Sequence, residues 1–312
     1  MKLGVVIPVF DLETLTPLSV SQVAEDAKRA EAAGFDSLWL MDHFFLVRNG
    51  TRVSGHEPMV VLGYLSAVTT RITLGVLVLC NTFRHPGQLA REAAALGDAS
   101  GQRFILGLGC GSQPLEHEAF AFPYRDRVSR LEETLTVLRP TLTGDRVSFN
   151  GRFIQMRDAS IVTSGAPPPL WLAAYGPRMM RLAARYCDGW VADFYGPDPT
   201  RFRSELEAFH EALNDVKRPH HLVESVVGLH ALMANDHNRE FVMNRAQRLA
   251  PASDDPLEDR FAVGDAGRIA AAIQEYWAAG ADHVVLVLSP WHFGRFDADA
   301  IKSAEAVVSL AR

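Results

Sequence analysis

Lysine is scarce in this chain: of 31 basic residues only Lys2, Lys28, Lys217 and Lys302 are lysine, and the rest are arginine. Acidic residues outnumber basic ones, 37 to 31, for a net charge of −6. That balance leaves no basic footprint for nucleic acid or for anionic lipid. Cysteine is equally sparse, with Cys80, Cys110 and Cys187 alone and no C-x-x-C spacing. An odd number at such spacing excludes a disulfide framework and suits a reducing cytosol. No apolar run reaches the roughly 18 residues of a membrane span. The opening stretch from Met1 to Pro8 is too short for the apolar core of a signal peptide. No segment rich in Pro, Gly or Ser divides the chain. These absences predict a soluble cytoplasmic protein whose partner is a small molecule.

What is present is a 312-residue chain, 48% apolar, long enough to bury a deep core. One junction repeats: Glu31-Ala32-Ala33-Gly34-Phe35-Asp36 is echoed by Trp277-Ala278-Ala279-Gly280-Ala281-Asp282, each followed by an apolar run. A helix ending at a left-handed glycine and feeding a strand explains both. Ser19 to Gln22 has the form of a capping box at the start of the first helix. Eight apolar runs read as buried strands: 3–9, 37–41, 72–79, 104–108, 170–173, 189–192, 223–233 and 283–288. They are continuous and not alternating, as parallel strands covered on both faces require. Eight such strands alternating with helices favour a closed (β/α)8 TIM barrel of about 250 residues, with an open doubly wound sheet as the other solution. The surplus length falls in two segments, near 142–168 and 235–263, within a single domain spanning 1–312. Alternating around Asn150-Gly151, the strongest short hairpin signal, the first reads as an inserted β-hairpin. The second, polar and carrying Pro251 and Pro256, reads as an insertion or lid.

In a barrel, the residues just past the strand C-termini line the active-site mouth. His43 follows the second strand beside Asp42 and is the candidate proton donor or acceptor near neutral pH. Gly107-Leu108-Gly109-Cys110-Gly111 ends the fourth strand. The third glycine of a dinucleotide fingerprint is replaced by Ser112, so the segment is either a cofactor wall or a tight turn. Tyr175-Gly176-Pro177-Arg178-Met179 puts a proline at the first turn of a helix whose N–H groups can hold a phosphate. Glu116-His117-Glu118 has the composition of a metal site but not its spacing, and no metal is expected.

Taken together, Gly34 to Ser37 leading into Asp42-His43-Phe44, the run from Leu74 to Val78 followed by Phe83-Arg84-His85-Pro86, the glycines at 107 to 111, Arg130 to Glu133, Gly176-Pro177, and Cys187 to Trp190 resemble the luciferase-like monooxygenase superfamily. The resemblance covers nearly the whole chain, least between about 195 and 260. It implies a barrel that binds FMN or the deazaflavin coenzyme F420 at its mouth. Asp-His-Phe after the second strand is similar to the F420-dependent oxidoreductase branch. By that resemblance Asp42 contacts the cofactor and His43 sits at its reactive ring. Leu77 and Val78 form a bulge behind the ring, often with a non-proline cis peptide. Cys80, Cys110 and Gly111 line the site, while Tyr175, Gly176, Arg178 and Met179 hold the phosphate arm.

The chain also departs from the F420-dependent glucose-6-phosphate dehydrogenases of that branch. Ser112 stands where they carry a catalytic Glu, and Val47 where they carry a Trp. Basic residues for a sugar phosphate have no obvious counterparts. A pocket of Phe10, Phe44, Phe45, Val47, Phe194, Tyr195 and Trp291, with Ser112 at its edge, implies a small apolar or aromatic substrate. The expectation is hydride transfer between F420 and that substrate by a homodimer, against FMN-dependent monooxygenation or an idle barrel that only binds a flavin-like ligand.

Overall fold

The computed structural model describes residues 1–11, 14–48, 50–162, 165–250, 253–288 and 298–312. Among the described residues, eight parallel strands close a barrel in chain order: β1 (Lys2–Val6), β2 (Ser37–Leu40), β3 (Thr73–Val76), β4 (Phe104–Gly109), β5 (Leu170–Ala173), β6 (Gly189–Tyr195), β7 (Glu224–Met233) and β8 (His283–Val287). Closure is made where Leu3 of β1 stands level with Val284 of β8. Pairing of β4 with β5, Leu106 opposite Leu170, completes the ring across the longest connection between neighbours. All eight expected strands are found, and the doubly wound alternative is excluded by closure.

Helices cover the outside. After β1 comes α1 (Val20–Ala32), and α2 (Pro58–Val68) and α3 (Pro86–Ala99) follow β2 and β3. The capping box at Ser19 is present, with Gln22 answering the Ser19 backbone. α4 (Pro114–Ala119) and α5 (Arg127–Leu142) follow β4, and α6 (Gly176–Tyr186), α7 (Thr200–Asp215), α8 (Arg239–Leu249), α9 (Leu257–Arg260), α10 (Ala266–Ala278) and α11 (Ala298–Ala311) complete the order. Gly34 and Gly280 adopt φ of +90° and +105°, a conformation that costs a side chain and not a glycine, so the repeated joint is the left-handed helix ending expected. No described helix is long and apolar enough to cross a membrane.

The barrel interior is filled by two tryptophans and a histidine at the level of the strand starts. Trp39 and Trp171 stack with ring centroids 4.8 Å apart, and His283 meets Trp171 edge-on at 5.3 Å. The hydroxyl of Ser37 accepts from Trp39 Nε1 at 2.7 Å and bonds His283 Nε2 at 2.8 Å, so one hydroxyl serves both rings. Room for the indoles comes from glycines. A Cβ on Gly75 would lie 2.2 Å from Trp39, and one on Gly189 2.3 Å from Trp171. This plug closes the barrel below and leaves the opposite end for the site.

The two departures from the barrel rhythm take definite forms. Val147–Asn150 pairs with Gln155–Ala159 in the antiparallel hairpin expected at Asn150-Gly151. Asn150 pairs with Gln155, and the Glu133 carboxylate accepts the N–H groups of Arg152, Phe153 and Ile154 between them. A carboxylate from outside the hairpin thus satisfies its loop. Between β7 and α10, α8 and α9 pack Ala246, Leu257 and Phe261 on Leu232, Ala234 and Val263 in a small apolar cluster of their own.

Candidate active site

At the C-terminal end of the strands lies a cavity of about 640 Å³, within the range of small-molecule sites. From β2 it takes Asp42 and His43, from the end of β3 Leu77, Val78 and Cys80, and from β4 Cys110, Gly111 and Ser112. The ends of β5 and β6 contribute Tyr175, Met179 and Phe194. Eleven residues singled out in the sequence thus meet in one place. The Leu77–Val78 peptide is cis, as the resemblance implies. Gly109 lies beneath Val78, where a Cβ would come within 2.6 Å of Val78 Cγ2. Gly111, at φ +80°, makes the turn past Cys80, whose Sγ would stand 2.6 Å from an added Cβ.

His43 Nδ1 lies 3.0 Å from Oε2 of Glu116, which is buried at the start of α4. The other carboxylate oxygen accepts the Phe45 N–H at 3.2 Å. With Nδ1–H donated to Glu116, Nε2 is the unprotonated nitrogen of the neutral imidazole. Asp42 is held as firmly. Its Oδ2 accepts from the Cys80 N–H at 2.7 Å and from Arg84 Nη1 at 2.5 Å, and Oδ1 accepts from Arg84 Nη2 at 3.0 Å. Arg84 also reaches Glu57 at 2.5 Å. Burial works against its charge, yet the Asp42 and Glu57 carboxylates raise its pKa and keep it cationic. Cys80 is driven the other way, its thiol pushed up to about 11 by burial. His117 bonds the Gln113 carbonyl through Nδ1 at 2.9 Å and Thr82 through Nε2 at 2.7 Å. Among the described residues no cluster of His, Cys, Asp and Glu is arranged to hold a metal ion.

Several expected site residues stand elsewhere. Arg178 points along the outside of α6, where its guanidinium meets Ser129 at 3.0 Å and Glu132 at 2.7 Å. Gly176 opens α6 without lining the cavity, though no side chain caps the helix and its first N–H groups stay available. Phe10 is fully buried in the core and Tyr195 gives its hydroxyl to Glu205. Phe44 does not line the cavity and packs on Phe83, Phe120 and Phe122, centroids 4.3 Å apart for Phe120. Val47 is half exposed on the hairpin of Phe45–Arg48 with Thr51–Ser54, and Phe45 lies beneath Arg52 there. Trp291 falls outside the described residues. The aromatic wall is therefore made by Phe83 and Phe194, with Met41, Leu46 and Leu79 beside them. Glu116, Arg84 and Arg127 were missed in the sequence. Pro114 marks the helix start that throws the first-turn side chain of Glu116 back toward the strand end, and that signal was available.

Residues 1–242 match the family model of luciferase-like monooxygenases. The chain belongs to the luciferase-like monooxygenase family. It is 30% identical over 293 residues to an F420-dependent glucose-6-phosphate dehydrogenase of Kineococcus radiotolerans, covering 85% of this chain and 86% of that one. An enzyme of the same name from Nakamurella multipartita is 37% identical over 177 residues, 55% of this chain. The matched segment spans about half (51%) of that relative's length. An F420-dependent secondary alcohol dehydrogenase, solved with an F420-acetone adduct, shares the fold at TM-score 0.83 and 19% identity over 100% of this chain and 99% of its own.

Proposed function

We propose that this family member is an F420-dependent oxidoreductase acting on a small organic substrate, with His43 as its proton-transfer residue. One observation carries the reading: an imidazole oriented by a buried carboxylate, Nδ1 to Glu116 at 3.0 Å, on the wall of the strand-end cavity. The named activities of the relatives from Kineococcus and Nakamurella support the choice of cofactor.

The residues present fit such a group. The volume suits a flat ring system, Val78 lies close over Gly109, and an arginine that has no carboxylate partner among the described residues lines the cavity. Leu77 and Val78 would back the ring, Asp42, Cys80, Cys110 and Gly111 would line it, and Tyr175, Met179 and the uncapped start of α6 would hold its arm. When bound, F420 supplies a two-electron hydride carrier. The protein's own part is positioning and proton traffic. His43 Nε2 takes or returns the proton that accompanies the hydride, and the Glu116 carboxylate stabilises the imidazolium in between. Asp42, locked by Arg84, fixes the β2 end from which His43 projects. Ser112 adds a hydroxyl where the relatives' resemblance calls for an acid, so the His43–Glu116 pair carries acid–base work alone.

For the substrate, Phe83, Phe194, Met41, Leu46 and Leu79 favour a compact apolar or aromatic body. A phosphorylated substrate, as in the relatives' names, is the second reading, and Arg127 favours it. The working state is a homodimer: α2 leaves Val60 and Tyr64 exposed beside a groove formed with α3. Anaerobic turnover of F420 with panels of alcohols, carbonyl compounds and sugar phosphates tests the proposal. It fails if no substrate changes the cofactor's redox state, or if reduced FMN drives oxygen consumption instead.

A further inference from the structure

We infer that Arg127 is the anion receptor of this cavity, placed to bind the phosphate or carboxylate oxygens of a bound molecule. The other charges at its wall are matched. Asp42 is paired with Arg84, Glu116 with His43, and Asp193 has Arg201 Nη2 at 3.6 Å. Arg127 lines the cavity and, among the described residues, meets no carboxylate; its Nε is buried without a hydrogen-bond acceptor. A buried guanidinium N–H with no acceptor carries an unrecovered desolvation penalty, which a bound oxyanion removes.

Structural duty does not account for the residue. It is the first residue of α5, the end at which the helix dipole disfavours a cation. Its aromatic contact among the described residues, the guanidinium 4.4 Å from the Tyr124 ring centroid, uses the flat face and leaves the N–H edge for an acceptor. Arg178, on which the sequence placed the phosphate arm, is meanwhile engaged with Glu132 outside the cavity. With a net charge of −6 for the chain, the attraction for an anion must be local, and Arg127 supplies it.

The oxyanion has two sources, the phosphate of the cofactor arm or an acidic group on the substrate, and the first rests on the F420 reading above. The test compares wild type, Arg127→Gln and Arg127→Lys. Quenching of intrinsic fluorescence gives the affinities for F420 and for its phosphate-free deazaflavin nucleoside. Thermal shift with inorganic phosphate, at saturating nucleoside and at saturating F420, reads the anion directly. If the cofactor supplies the oxyanion, Arg127→Gln weakens F420 binding about tenfold or more and leaves the nucleoside within about twofold. If the substrate supplies it, both affinities hold and the phosphate stabilisation seen in F420-loaded wild type disappears in Arg127→Gln. Arg127→Lys keeps part of either effect, which separates lost charge from lost fold. Unchanged cofactor affinities together with an unchanged or absent phosphate shift overturn the inference. A wild type that binds neither deazaflavin contradicts the cofactor reading instead, and the phosphate shift of the unliganded protein still decides Arg127.

Discussion

Glu116 takes the Nδ1 proton of His43 at 3.0 Å and the backbone N–H of Phe45 at 3.2 Å, so a single buried carboxylate sets both the tautomer and the position of the histidine. The pair joins β2 to α4 across 73 positions of sequence. General acid–base catalysis contributes about 10²–10⁴-fold to a rate. His43→Asn should therefore lower kcat by roughly that factor. Glu116→Gln keeps the shape and removes the charge, and should lower kcat about 10- to 100-fold with F420 affinity held within about twofold. Loss of cofactor binding in step with kcat would make Glu116 a mere packing residue.

Asp42 and Arg84 form the second fixed relationship, and both are nearly buried, with side chains 7% and 11% exposed. Removing one partner leaves the other charged in a dry site. Arg84→Met should cost about 3–5 kcal/mol of stability, read as a lower urea midpoint. Adding Asp42→Asn should recover most of it, whereas an additive double variant would show that the two do not act as a pair.

Acid sensitivity should trace in part to Glu224, at the closed end of the barrel. Burial pushes its carboxyl up, but His283 and Lys2, the latter 2.6 Å away, outweigh it and hold the pKa down to about 2 from an ordinary 4.5. A depressed carboxyl stabilises the fold above its unfolded value, and the contribution is lost as pH falls from about 4.5 to about 2. Because a third of the side chain is exposed, screening limits the effect to about 1–2 kcal/mol. Denaturation of wild type and Glu224→Gln at pH 7 and pH 3 should show a gap that narrows on acidification; a constant gap contradicts the assignment.

The three thiols should react unequally. Cys80 is buried with its pKa pushed up to about 11, and Cys187 is buried and pushed up further. At pH 7 Cys80 is about one part in 10⁴ thiolate. Cys110 is half-buried on the cavity wall. Iodoacetamide should label Cys110 first, and F420 should slow it. Labelling of Cys110 that ignores the cofactor, with mass spectrometry as the readout, argues against its place in the site.

The barrel was legible because each strand is a continuous apolar run, and the joints at Gly34 and Gly280 end their helices with a residue that accepts a positive φ. His43 was legible from its place at a strand end. Glu116 was not, because Glu-His-Glu was weighed only as a metal site and set aside on its spacing, while its partner His43 lies 73 positions away in sequence. Aromatic residues misled in the same region. Phe10 and Phe44 stand at strand ends, but hydrophobic burial drew them into the core and into the Phe120 cluster. The hairpin was legible from Asn-Gly, but the part played by Glu133, whose carboxylate holds the loop, was not, because it comes from an earlier helix.

Paired titration of the purified protein with F420 and with FMN, read by quenching of its intrinsic fluorescence, tests the central claim most directly. The account predicts saturable binding of F420 at least about tenfold tighter than FMN, a margin of 1.4 kcal/mol. Equal or tighter binding of FMN would contradict it.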